Sequence, residues 1–288
     1  MFNFLHTFQP ERILLNLGPF HIYWYGFFVV SGLLLGILVS LKLAGYYKIE
    51  KNKIIDLIFW VILGGIIGAR IYHIFLELSY YLKYPIDMIK IWQGGLAIHG
   101  AIIAGVLIIW YFTKKNNLNF WLISAILSPA LALAQAIGRW GNYFNQELFG
   151  LPTNLPWGIP INILSRPLEY ISNEFFHPTF LYESLGNLLI FSLLITFHVW
   201  IIKNHKYINY YYFLPACAGR LFTSYLILYS LLRFSLEFIR IDNTPEFLGL
   251  RWPQIASLII IFVCTLVYTF VLIYKPKLIF SKTTDKIK

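Results

Sequence analysis

The sequence predicts an all-α polytopic membrane protein with about seven transmembrane helices, and three observations carry that expectation. Of 288 residues, 58% are hydrophobic and only 12% are charged, half the charge of a soluble domain at about 25%; mean hydropathy is +0.66. Several apolar runs approach the roughly 20 residues that cross a bilayer. Lysine is also distributed unevenly between the segments that join these runs.

Taken in order, the apolar runs place spans near 23–46, 54–76, 94–112, 120–137, 180–202, 213–238 and 253–274. The first follows a polar stretch with Pro10, Glu11 and Arg12 rather than a cleavable leader pattern, so it is expected to stay as an uncleaved anchor. Lys48, Lys51, Lys53, Lys114, Lys115, Lys203, Lys206, Lys275, Lys277, Lys282, Lys286 and Lys288 fall on one side of this arrangement, against Lys83 and Lys90 on the other. The positive-inside rule makes the lysine-rich side cytoplasmic. The N-terminus is then periplasmic and the C-terminus cytoplasmic. The net charge of +10 reads as topology and attraction to anionic lipid, not as a nucleic-acid surface. The expected organisation is one integral membrane domain over 1–288, with a periplasmic segment or lip at 138–179 and a basic tail at 275–288. Cys217 and Cys264 lie in apolar runs and form no metal-ligand or disulfide framework.

The arginines avoid the lysine-rich loops. Arg12, Arg139, Arg166, Arg240 and Arg251 fall on the outer side, and Arg70, Arg220 and Arg233 lie within spans or at their ends. A guanidinium grips phosphate through two parallel hydrogen bonds, which an ammonium cannot do. An outward-facing phosphate site is the chemistry this implies.

Polar residues gather at four places. In span two, Gly64 and Gly68 clear a helix contact, and Arg70 needs a partner, because a charge within a span is costly. Span three opens "WQGGLAIHGAIIAG", placing His99 among glycines; it is either bonded to a neighbouring helix or free to take a proton near neutral pH. "GRWGNYFNQELFG" at 138–150 packs Arg139, Asn142, Asn145, Gln146 and Glu147 among aromatic rings. Span six ends with Tyr229, Arg233 and Glu237 four residues apart, on one helix face, with Arg240 following. An Arg233–Glu237 packing pair is the alternative reading of that stripe. "HPTFLYES" opens span five with His177, Tyr182 and Glu183, the last expected to partner an arginine. Tyr25 and Gly26 lie at the outer end of span one. One polar cavity in the outer leaflet would accommodate all of these groups.

In combination, these motifs resemble the bacterial prolipoprotein diacylglyceryl transferase family. "GRWGNYFNQELFG" is similar to its signature, "GGLAIHG" to its histidine segment, "HPTFLYE" to its external motif and "YSLLRFSLEFIR" to its late Arg/Glu helix. Trp140 and Tyr143 depart from the expected signature without altering its polar groups. The resemblance implies transfer of the diacylglyceryl group of phosphatidylglycerol to the lipobox cysteine of a prolipoprotein, with glycerol phosphate leaving, in the bacterial inner membrane. It implies catalytic roles for His99, Arg139, Arg233 and Glu237. It implicates Arg139, Tyr25, Asn142, Glu147, Gly150 and Tyr229 in the lipid site; Asn145 and Arg240 join the expected lipid contacts on their own chemistry and position. Neither a metal nor another cofactor is expected.

Two rivals remain at this stage. An intramembrane protease would need facing aspartates or a serine–histidine pair, yet Asp56 alone lies near a span, at its cytoplasmic end. A transporter of an anionic solute would use the same arginines, but such carriers commonly show internal repeats, and none is evident.

Overall fold

The computed structural model describes residues 2–204, 210–242 and 244–284, with side chains described for 5–203, 217–242 and 244–269. The expected loop near 203–209, with Lys206, and the end of the basic tail at 285–288 lie largely outside the described residues. The chain order is α1 (Phe2–Thr7), β1 (Ile13–Leu17), β2 (Phe20–Tyr23), α2 (Trp24–Tyr46), α3 (Lys51–Leu76), α4 (Leu78–Lys83), α5 (Ile98–Lys115), α6 (Phe120–Asn145), β3 (Ile159–Pro160), β4 (Phe175–Phe176), α7 (Thr179–Asn204), α8 (Tyr210–Leu236), β5 (Glu246–Phe247), β6 (Leu250–Arg251) and α9 (Trp252–Thr284).

Among the described residues, seven helices reach 18 residues or more, one at each expected span. Six are long and apolar enough to cross a membrane; α8, which carries Arg220 and Arg233, is the seventh long helix. The protein is a polytopic all-α membrane protein. Its spans differ most from the expected ones at three ends, one of them that of α9, which runs on to Thr284 rather than 274. α5 starts at Ile98 rather than 94, because Gly94 and Gly95 adopt φ of 89° and 71° and form a turn. α6 continues to Asn145, so the first half of the 138–150 motif is helical.

The chain divides into two compact units, Ser40–Ile126 and the combination of Met1–Val39 with Leu127–Lys288. In the 40–126 unit, glycine determines how α3 meets α5. A Cβ on Gly68 would sit 2.5 Å from the Ala104 Cβ and 2.7 Å from the Gly100 carbonyl oxygen; one on Gly100 would lie 2.2 Å from the Gly68 carbonyl oxygen. The backbones touch, as the Gly64/Gly68 spacing suggested. A Cβ on Gly64 would strike the Ile108 Cδ1 at 2.1 Å.

Arg70, near the end of α3, is buried. Its guanidinium donates to the carbonyls of Met88 (3.0 Å), Gly94 (2.6 Å), Gly95 (3.0 Å) and Lys90 (3.3 Å), and to that of Asp87. Its carbon lies 5.2 Å from the centre of the Tyr81 ring. Backbone oxygens thus supply the partners that a charge within a span requires. A side chain on Gly95 would collide with Arg70 and His73 at 2.6 Å, so the turn can close over the guanidinium only as glycine. Asp87 carries a carboxyl below its ordinary pKa, because Lys90, at 2.6 Å, and then Tyr80 hydrogen-bond its charged form.

In the other unit, α6, α7 and α8 meet through short-range contacts. The Ser184 hydroxyl of α7 donates to the Ala136 carbonyl of α6 at 2.8 Å. Phe180 stacks on Tyr143 at 4.6 Å and meets Trp140 edge-on at 5.3 Å. The two residues that depart from the family signature therefore serve helix packing. Gly186 of α7 faces Leu232 of α8, where a Cβ would lie 2.6 Å from a methyl group. The segment after α6 has its own apolar core, with Leu5, Tyr143, Phe149, Ile159, Ile161, Phe176 and Phe180 buried together. α1 closes it: His6 stacks on Phe175 at 4.0 Å and bonds the Gly158 carbonyl at 2.9 Å.

The backbone contact of α3 and α5 gives a direct test. Gly100→Val should destabilise the protein by about 2 kcal/mol, the scale of overpacking a tight contact. Thermal unfolding in detergent would measure it, and an unchanged midpoint would show that the two backbones do not touch.

Candidate active site

α6 carries Arg139 and Asn142 three residues apart on one face, so both side chains point the same way. α7 brings Glu183 against them, and the end of α8 brings Arg233 and Glu237. Glu183 is buried and holds three guanidiniums. Arg139 Nε contacts one of its oxygens. Arg240 Nη1 at 2.7 Å and Arg233 Nη1 at 3.3 Å share the other. The sequence offered Glu183 as a partner for one arginine; it serves three.

Glu237 sits one residue beyond α8 and is also buried. Arg233 Nη2 lies 2.8 Å from one carboxylate oxygen and Arg251 Nη1 lies 3.0 Å from the other. The expected Arg233–Glu237 pair is present, within a larger set. Arg240 also forks onto Asp242, with Nε at 2.7 Å and Nη2 at 2.6 Å. Burial acts to lower the Arg240 pKa, but Glu183 and Asp242 together outweigh it and raise the value above that of a free guanidinium.

Sequence reasoning gave Arg251 no role beyond its outward position. Its Nη1 donates to the Glu237 carbonyl (3.1 Å) and the Arg240 carbonyl (3.0 Å), its Nε to Thr244 Oγ1 (2.8 Å), and its Nη2 to the Asp242 carbonyl. It thereby fixes the turn after α8. The local signal was an arginine on a two-residue strand directly before α9; nothing in the sequence indicated the carbonyls it would bind.

The other predicted lipid contacts extend from this network. Asn142 accepts from Arg139 at 3.3 Å and donates to Glu147 at 2.8 Å, and Asn145 donates to the same Glu147 oxygen at 3.3 Å. Gly150 pairs with Arg240 in a β-bridge. A Cβ on Gly150 would lie 2.8–3.0 Å from the Ile239 carbonyl, His177 and Thr179, so glycine lets the loop pass between α7 and the end of α8. Tyr229 stacks on Tyr225 at 6.2 Å, and the Tyr225 hydroxyl donates to Gln135 of α6 at 3.3 Å. Tyr25 is exposed and lies against Gly141, where a Cβ would approach its ring at 2.8 Å.

His177 caps the motif before α7. Its Nδ1 lies 3.2 Å from the Tyr182 hydroxyl, which accepts from Trp157 Nε1 at 2.8 Å. Burial lowers its pKa, so its neutral form is favoured. His99 belongs to the 40–126 unit, in the first turn of α5, where its ring lies 5.9 Å from that of Tyr72.

Four guanidiniums, those of Arg139, Arg233, Arg240 and Arg251, therefore engage three carboxylates, those of Glu183, Glu237 and Asp242, leaving one formal positive charge. Arg240 has 4% of its side chain exposed, whereas Arg139 has 23% and Arg233 has 20%. The two open arginines come from different helices and share one buried anchor. Such a surface can bind an anion with donors whose directions are fixed in advance.

This fold and site define a multi-pass membrane protein built around a network of arginines and carboxylates. A family model described as prolipoprotein diacylglyceryl transferase matches residues 12–270, and the chain belongs to that family. Proteins named phosphatidylglycerol–prolipoprotein diacylglyceryl transferase are similar along most of its length. The one from Synechococcus elongatus is 44% identical over 254 residues, covering 88% of this chain and 84% of its own. The one from a Nostoc species is 43% identical, covering 88% and 87%. The one from a Synechocystis species is 39% identical, covering 91% and 90%.

Because Glu183 anchors three cations, removing its charge strands them. Glu183→Gln is expected to cost about 3–5 kcal/mol, the scale of breaking a buried ion pair from one side. Loss of folded protein on heating in detergent would report it; wild-type thermal resistance would mean that the arginines hold their positions independently.

Proposed function

We propose that this chain transfers the diacylglyceryl group of phosphatidylglycerol to the cysteine thiol of a prolipoprotein lipobox, the first step of lipoprotein maturation. The carrying observation is the arginine network with Arg139 and Arg233 open. Family membership supports the reaction class, and the relatives' names support both substrates.

In this reading, Arg139 and Arg233 grip the lipid phosphate. Asn142, Asn145 and Glu147 bond the glycerol head; Tyr25 and Tyr229 flank the lipid. The cysteine sulfur attacks the glyceryl carbon that bears the phosphate ester. A carbon–sulfur bond forms as the carbon–oxygen bond breaks, and the electron pair leaves on the phosphate oxygen of glycerol phosphate. In this reading the leaving group gains negative charge beside guanidiniums that the carboxylates already hold in place, the condition under which fixed donors accelerate a reaction most. Glu237 and Glu183 hold Arg233 in place, while Arg240 and Gly150 fix the loop that carries Glu147.

The thiol, with a pKa of about 8.5 when free, must lose its proton to become an effective nucleophile. His99 is the proposed base on chemical grounds, since imidazole titrates near neutrality. The lysine distribution supports seven crossings, a periplasmic N-terminus, a single membrane domain and a site facing the periplasmic leaflet of the inner membrane. The basic tail at 275–288 would then lie on the cytoplasmic side.

Incubation of purified protein with labelled phosphatidylglycerol and a lipobox peptide should yield lipidated peptide and glycerol phosphate; flux of an anionic solute without lipidation would favour a carrier. Arg233→Lys should reduce kcat/KM by about 100-fold, as expected when one fixed donor to a developing oxyanion is lost. Full turnover with lysine would remove the argument for a forked grip. His99→Ala should slow turnover most strongly below neutral pH, where little thiolate forms unaided, and an unaltered pH–rate profile would eliminate His99 as the base.

A further inference from the structure

A cavity of about 1080 Å³ opens beside the arginine network, wholly within the unit that contains it. Its walls include β2, the start of α2, the loop after α6 and the 164–167 segment. The volume is at the upper end of small-molecule pockets, roughly 300–1,000 Å³, and exceeds what a glycerol phosphate would fill. Its charged lining is mixed: Arg12 opposes Glu147 and Asp242, and Asp242 is already engaged by Arg240 at 2.6 Å. A phosphate would gain less here than at Arg139 and Arg233.

The backbone bordering the cavity indicates a different ligand. His21, Ile22 and Tyr23 are consecutive strand residues, and all three line it. Neighbouring side chains of a strand point to opposite faces, so β2 presents its edge to the cavity, not one face. Among the described residues β2 pairs with β1 alone, which leaves its other edge without a strand partner there. On the facing wall, Gln146 and Leu148 take positive φ of 51° and 56°, an uncommon conformation for such residues. Thr179 Oγ1 holds the Leu148 carbonyl, and Gln146 Oε1 accepts from the Asn162 amide at 2.9 Å. Glu147 lies between them, lining the cavity while its Oε1 is bound by Asn142, itself bonded to Arg139.

An edge strand opposite polar amide groups is a site for extended polypeptide, which adds main-chain hydrogen bonds to a free edge. We infer that this cavity takes the residues that follow the acceptor cysteine, laid along the open edge of β2, with Glu147 between the peptide and the lipid-gripping arginines. The inference rests on the proposed transfer reaction and assigns its second substrate a place.

A lipobox peptide with a photoreactive side chain two or three positions after the cysteine, irradiated with the wild-type protein, should form its adduct with residues of 21–23 or 164–167. An adduct confined to other segments would overturn the assignment. In addition, Ser165→Trp, which intrudes on the cavity, should raise KM for the peptide about tenfold, equivalent to losing about 1.4 kcal/mol of binding, with KM for phosphatidylglycerol within twofold of wild type. A rise in the lipid KM alone would overturn it in favour of a head-group site. Should the wild-type protein lipidate no peptide, the transfer reading fails, and the adduct map still decides what the cavity binds.

Discussion

Glu183 is the interaction on which the site depends. One buried carboxylate receives Arg139 from α6, Arg233 from α8 and Arg240 from the turn beyond α8. Taking charges out of water costs several kcal/mol per ion, and attraction in the dry interior offsets this only with good geometry and further hydrogen bonds. The network meets that condition by sharing. Glu237 takes Arg233 and Arg251, Asp242 takes Arg240, and Arg251 spends its remaining donors on carbonyls of the same turn. No helix in the set can shift without breaking an ion pair, so each guanidinium direction is fixed before any ligand arrives.

The two units solve the buried-cation problem differently. Arg70 has carbonyl dipoles around it and an aromatic ring beside it, and a glycine turn closes against its guanidinium. That is a structural staple, holding the approach to α5 and hence the first turn where His99 sits. Arg139 and Arg233 are held by carboxylates, yet about one-fifth of each side chain stays exposed. Burial with full satisfaction suits a scaffold; partial exposure leaves donors that a ligand could reach.

How much of this was legible in the sequence follows from which atoms are involved. Apolar runs disclosed the long helices because the period and length of a span are side-chain properties. The α6 boundary was missed because polarity begins at Arg139, yet the helix runs on to Asn145, and it is this helical continuation that sets Arg139 and Asn142 on one face. Arg233 and Glu237 were readable as a pair because four-residue spacing stacks side chains. Glu183 as a three-fold anchor was not readable, since its partners come from positions 139, 233 and 240, and spacing says nothing across helices. Arg70 was flagged as needing a partner, but its acceptors are backbone oxygens, which every residue carries, so composition could not mark them. Arg251 escaped notice for the same reason.

The shape of the guanidinium group explains why the site is built from arginine. Four guanidiniums meet three carboxylates directly, and a fourth carboxylate, Glu147, is reached through Asn142. With lysine, each ammonium would be a point charge able to turn toward whichever carboxylate lay nearest. A guanidinium is planar and forked. When Arg233 gives one nitrogen to Glu183 and another to Glu237, the plane of the group is determined, and so is the direction of its open edge. The carboxylates therefore do more than neutralise. By binding two nitrogens of Arg233 they fix the plane in which its remaining N–H groups lie, so those donors are oriented before any partner arrives.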